Sequence, residues 1–157
     1  SNALGVDFLR DADSERFYNS ISELRRSCGD RAVLRAFHFF NEQNRVEAQK
    51  AALKAGDFES FLRLVNESGE SSYDYLQNLY SNSDVAEQGL PLAIALTKKF
   101  LKGKGACRVH GGGFAGTIQC YIPTEILADY KEMIESVFGN GSCCVLNIRP
   151  VGGYEIR

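Results

Sequence analysis

At Lys102-Gly103-Lys104-Gly105 the hydrophobic rhythm of this chain changes. Upstream, apolar residues recur three and four positions apart; downstream they alternate with polar ones. A spacing near 3.6 lines one face of a helix, and a spacing of two lines one face of a strand, so a single element cannot satisfy both. The chain must therefore fold as a helical portion followed by a mixed one. With 157 residues it has the length of one ordinary domain, able to bury about 70% of its unfolded surface.

The helical portion carries its own punctuation. In 13–27, "DSERFYNSISELRRS", Phe17, Ile21 and Leu24 share a face, and Gly29 stops the run, leaving Asp30 to cap the next. A long helix is predicted over 31–55 with Val33, Ala36, Phe37, Phe40, Ala48, Ala51 and Ala52. Gly56 ends it, and Asp57 caps a helix with Phe58, Phe61, Leu62 and Val65 on one face. "ESGESS" reads as a break. A further helix over 91–101 opens on a proline and ends among lysines, which suits the helix dipole.

Beyond residue 105, Cys107 and Val109 alternate with Arg108 and His110, and Ile118, Cys120 and Ile122 alternate with Thr117, Gln119 and Tyr121. Both segments predict half-buried strands. A helix over 123–138 follows, with Ile126, Leu127, Tyr130, Met133, Ile134, Val137 and Phe138 in a stripe and Gly139 closing it. Cys144, Leu146 and Ile148 alternate as a third strand, and "VGGYEI" at 151–156 suggests a short fourth. The expected class is α+β, an antiparallel sheet of three to four strands covered by a helical layer.

Composition narrows the function classes. A net charge of −2 gives no basic excess for nucleic acid, and apolar runs such as 90–96 are too short for a bilayer span. Ser1-Asn2-Ala3 reads as a tag remnant, so the domain is expected over 4–157. The five cysteines, Cys28, Cys107, Cys120, Cys143 and Cys144, lack the CxxC spacing of a zinc or redox site. Most fall in apolar patterns where a thiol packs as a small hydrophobe, which suits a reducing cytoplasm.

The two predicted strands enclose "RVHGGGFAGTIQCYI" at 108–122, with glycine at 111, 112, 113 and 116. One reading is a hairpin whose glycines adopt positive φ. The other is a loop that presents backbone N–H groups to a polar or anionic ligand. It is neither a Walker loop, since no Gly-Lys-Ser/Thr follows, nor a dinucleotide fingerprint, since a strand rather than a helix comes next.

The stretch resembles the third signature of the galactokinases, within the superfamily of galacto-, homoserine, mevalonate and phosphomevalonate (GHMP) kinases. Arg108, Gly111, Gly113, Phe114 and Gly116 match the pattern Arg-x-x-Gly-x-Gly-Phe-Gly-Gly; Ala115 replaces one glycine, and Thr117 stands where cysteine is common. "LGVDFLRDAD", "AFHFFNEQNRVEAQKAALKAGDFESFLRLVNESGESS" and "RPVGGYEI" resemble further family segments in the same order. The resemblance implies a ferredoxin-like C-terminal lobe of a GHMP kinase. The parent enzyme would phosphorylate galactose at O1 with ATP and Mg2+.

The family's Arg-x-x-Gly-Glu-His segment, its Pro-x-x-x-Gly-Leu-Ser-Ser-Ser loop and its proposed catalytic aspartate have no counterpart in this sequence. The expectation is therefore a lobe without its N-terminal nucleotide-binding partner: inactive alone, holding no catalytic residue, no metal ligand and no bound cofactor, and prone to self-association. Its partners would be a small-molecule sugar and the missing lobe, with neither nucleic acid nor membrane. The resemblance places Gly111, Gly112, Gly113, Phe114, Ala115 and Gly116 at the substrate and phosphate cleft, with Arg108 and His110 lining it. A catalytically silent sugar sensor and a free-standing small-molecule binding module remain as alternatives.

Other polar groupings have plainer readings. His38, Glu42 and Arg45 share a helix face, as an acid–base or metal site or as a hydrogen-bonded patch of a packed helix, the commoner case. Lys98, Lys99, Lys102 and Lys104 read as a solvated helix end, with attraction of phosphate as the less common alternative. Tyr73, Tyr75 and Tyr80 read as packing or lobe-contact residues, because the cations that a single-stranded nucleic acid platform needs are missing.

Overall fold

A computed structural model describes residues 1–114 and 116–148, in two compact units, Ser1–Pro123 and Thr124–Arg157. The first unit holds helices α1 (Ser14–Asn19), α2 (Ile21–Cys28), α3 (Asp30–Ala55), α4 (Phe58–Ser71) and α5 (Gly89–Leu101), then strands β1 (Ala106–Val109) and β2 (Ile118–Tyr121). The second holds a 3-10 turn, Thr124–Ile126, and helix α6 (Leu127–Phe138), which buries Tyr130 and Ile134 and stops at Gly139.

Around Phe17 the first unit builds an aromatic core. Leu4, Leu24, Val33 and Phe40 are buried with it, and its ring lies 4.9 Å from that of Phe40 and 5.6 Å from that of Phe37. The predicted first helix is two. They meet at Ser20, whose N–H is shared between the carbonyls of Arg16 and Phe17, at an Asn-Ser pair that holds helix weakly. Gly29, at φ 81°, rather than Asp30, is the N-cap of α3. Its freedom at positive φ lets the helix begin one residue early, and the Asp30 carboxylate instead accepts from Arg25 Nε at 2.5 Å. Asp57 caps α4 as expected, accepting from the Ser60 N–H at 3.0 Å.

Helix α4 does not stop at "ESGESS". It runs through Gly69 to Ser71 and continues as a single π-type turn, Ser72–Leu76. The reason lies in the sheet. A Cβ on Gly69 would stand 3.0 Å from the Cys107 carbonyl oxygen and 3.3 Å from Arg108 Cα, so glycine lets the helix lie against β1. One turn earlier, Asn66 Nδ2 donates to the Gly105 carbonyl (3.2 Å) and Asn66 Oδ1 accepts from the Cys107 N–H (3.1 Å). The carboxamide thus takes the place of a neighbouring strand on the border of β1. On α4, Phe61, Leu64 and Val65 are buried with Ala52 and Ala106, whereas Phe58, predicted inward, is 54% exposed.

β1 and β2 pair antiparallel, Cys107 opposite Cys120 and Val109 opposite Ile118. Leu79, Leu90 and Val109 form a third buried group, with Ile94 and Ile118 packed on it, so helices cover the sheet as the α+β reading requires. Among the described residues the sheet has two strands rather than three to four. Residues 142–148 form no strand, and Leu146 and Ile148 are exposed; alternation without a paired neighbour does not make a strand. The fourth predicted strand lies outside the described residues.

Candidate functional site

The loop between β1 and β2 is closed at its base by the His110 N–H, which donates to the Thr117 carbonyl at 3.0 Å. Gly111 (φ 62°), Gly113 (φ 73°), Phe114 (φ 53°) and Gly116 (φ 81°) are all left-handed. The hairpin reading therefore accounts for three of the four glycines but not for Gly112. The two sides of the loop differ. Gly111, Gly112 and Gly116 have no atom within 4 Å of where a Cβ would stand, and all three are exposed. Gly113 is buried: a Cβ there would lie 2.1 Å from the main-chain oxygen of Asn78. The loop thus rests on Asn78 and leaves an open backbone face, onto which a ligand can approach closely. His110 is exposed on the flank, and Ala115 lies outside the described residues.

Arg108 turns away from that face. Its Nη1 lies 3.3 Å from Glu42 Oε1, and its Nε donates to the Val109 carbonyl. Glu42 also accepts from the Ser68 hydroxyl and from Arg45, while Arg45 reaches toward Glu67. His38 Nδ1 is 3.0 Å from Ser71 Oγ. The His38–Glu42–Arg45 array is thus a hydrogen-bonded patch, extended by two serines of α4 and the arginine of β1, which sequence spacing could not bring to it. Burial pushes the Glu42 carboxyl up, but Ser68, Arg45 and Arg108 together hold it below its usual range. Burial is also the main cause that lowers His38, opposed by Glu42. Both effects favour a neutral imidazole beside an ionised carboxylate. Among the described residues no group of three or more His, Cys, Asp or Glu side chains is placed to hold a metal ion.

Of the lysine cluster, Lys98 pairs with Glu70 at 3.1 Å. It helps rim a cavity of about 190 Å³ floored by Leu79, Ile94 and Cys107, with Tyr73 in its wall. The Tyr75 ring lies 6.2 Å from that of Phe37, a packing role. Burial, with Cys120 opposite, pushes the Cys107 thiol up to about 11. No helix among the described residues is long and apolar enough to cross a membrane.

No protein-family profile matches the chain. Individual proteins do. A galactokinase of Actinobacillus pleuropneumoniae is 31% identical over 130 residues, and one of Glaesserella parasuis serovar 5 is 30% identical over the same length. A galactokinase of Mannheimia succiniciproducens is 28% identical. Each alignment takes in 83% of this chain and 32% of the relative. Over 130 of its residues, then, the chain is a homologue of the galactokinases, and it spans about a third of the length of those it matches.

Proposed function

We propose that this chain is the C-terminal lobe of a galactokinase-type sugar kinase, and that its 111–116 loop forms one wall of the cleft where galactose is phosphorylated at O1. The observation that carries the reading is the similarity to galactokinases along 130 residues. The open backbone at Gly111, Gly112 and Gly116 supports it, because a sugar or phosphate oxygen can reach N–H groups that no side chain shields. Phosphoryl transfer is catalysed by positioning and charge neutralisation, and this chain supplies positioning. ATP and Mg2+ belong to the reaction of the longer enzyme. Among the described residues no group of three or more His, Cys, Asp or Glu is placed to hold the ion.

In this reading the 157 residues alone do not turn over sugar, and the protein works in the cytoplasm. Val145, Leu146 and Ile148, respectively 58%, 85% and 90% exposed, favour self-association of the isolated chain, which sedimentation at rising concentration detects.

The decisive experiment compares this chain with the longer reading frame that contains it, measuring phosphate transfer from ATP to galactose and to other hexoses. Galactose 1-phosphate from the longer protein and none from the shorter supports the reading. Galactose binding by the longer protein without turnover replaces it with a sugar sensor. Turnover by the 157 residues alone overturns the lobe assignment.

A further inference from the structure

We propose that Asn78 is a positioning residue for the glycine loop, holding Gly112 and Phe114 from beneath so that the open face keeps one conformation. The inference rests on the reading of that loop as a cleft wall, but the clamp itself belongs to this chain. Asn78 is 3% exposed and follows Gln77, a left-handed residue at φ 56°. Its Nδ2 donates to the Gly112 carbonyl at 3.1 Å, and its main-chain carbonyl accepts from the Phe114 N–H at 3.0 Å. The two bonds bracket Gly113, which sits so close that a Cβ would lie 2.1 Å from the Asn78 oxygen and 2.6 Å from Nδ2.

Phe114 shows what the clamp does. A phenylalanine at φ 53° is in a region that side chains resist, because the Cβ crowds the following carbonyl oxygen. Its ring is 54% exposed, so packing offsets little of that crowding. The bond from its N–H to Asn78 is what holds it there, with the ring turned outward at the loop's tip. Asn78 also bears a burden: its Oδ1 is buried with no hydrogen-bond partner among the described residues. A buried orphan acceptor lowers stability, so an asparagine that tolerates one in order to aim Nδ2 at Gly112 is placed for the loop rather than for the core.

The test is amide exchange of the 157-residue chain, expressed as protection relative to intrinsic rates. In Asn78→Asp an ionised carboxylate cannot donate to the Gly112 carbonyl, whereas a protonated one can. Protection of the Phe114 amide should fall about tenfold or more near pH 7.5 and recover as the carboxyl is protonated toward about pH 4, with β1 and β2 amides unchanged. Asn78→Ala should lose it at both pH values. Gly113→Ala, which breaks the same contact from the loop side, serves if Asn78→Ala fails to fold. Unchanged Phe114 protection in folded variants overturns the proposal, and so does a loss shared equally by β1 and β2.

In the longer protein, Asn78→Asp should lower kcat/KM for galactose at neutral pH. A loosened loop with unchanged kcat/KM overturns the positioning role. A longer protein that phosphorylates no sugar while the clamp behaves as described defeats the functional reading and leaves the clamp standing.

Discussion

Glu42 Oε1 and Arg108 Nη1 lie 3.3 Å apart although 66 residues separate them, and this ion pair ties the middle of α3 to β1, next to the glycine loop. Glu42 is the hub: Arg45 and Ser68 share its carboxylate. Glu42→Gln leaves two guanidinium groups facing a neutral amide and should cost about 2–4 kcal/mol. Arg108→Met leaves Glu42 with Arg45 and Ser68 and should cost less, about 1–2 kcal/mol. Urea midpoints at neutral pH measure both; equal losses would remove Glu42 from the centre.

The same patch predicts an acid-side weakness. His38 is faced by Glu42 and Arg45 on its own helix, by Ser71 on α4 and by Arg108 on β1, and its folded value lies below the ordinary 6.5. The unfolded chain therefore binds a proton that the folded one refuses, and stability should decline as pH falls below about 6.5. Glu42, also depressed, contributes stability above its ordinary 4.5 that is lost as pH falls further. His38→Gln should flatten the first decline and leave the second, as thermal midpoints between about pH 7.5 and pH 4 would show.

Asn66 makes two bonds to β1, and two variants separate them. Asn66→Ala loses both and should destabilise by about 1–3 kcal/mol, with faster exchange at the Cys107 amide. Asn66→Asp keeps the acceptor for Cys107 but sets a carboxylate against the Gly105 carbonyl. It should destabilise while the Cys107 amide keeps its protection. Equal exchange at Cys107 in the two variants would contradict the assignment.

Thiol chemistry should sort the cysteines by position. Cys28 and Cys144 are exposed, while Cys107 is buried and its thiol is pushed up to about 11. Iodoacetamide near pH 8 should label Cys28 and Cys144 in the folded chain and reach Cys107 only after denaturation, as peptide mass mapping would show. Early labelling of Cys107 would mean that β1 opens readily.

What the sequence disclosed was local. Gly29, Gly56 and Gly139 ended helices because a stop is written within one turn of the chain, and the strand–glycine–strand order announced the hairpin. The misreadings have distant causes. Gly69 looked like a break, yet its role is set by β1, some forty residues downstream. Alternation in 142–148 carried no information about a pairing neighbour. The glycine loop was visible as a candidate, but Asn78, which seats it, belongs to no periodic pattern, and Arg108, matched to a cleft motif, turns to Glu42 instead.

The carboxamide of Asn66 has one more consequence. Two main-chain groups on the margin of β1 that it faces, the Gly105 carbonyl and the Cys107 N–H, are already bonded, so a further strand would find fewer free partners there than alongside Ile118–Tyr121.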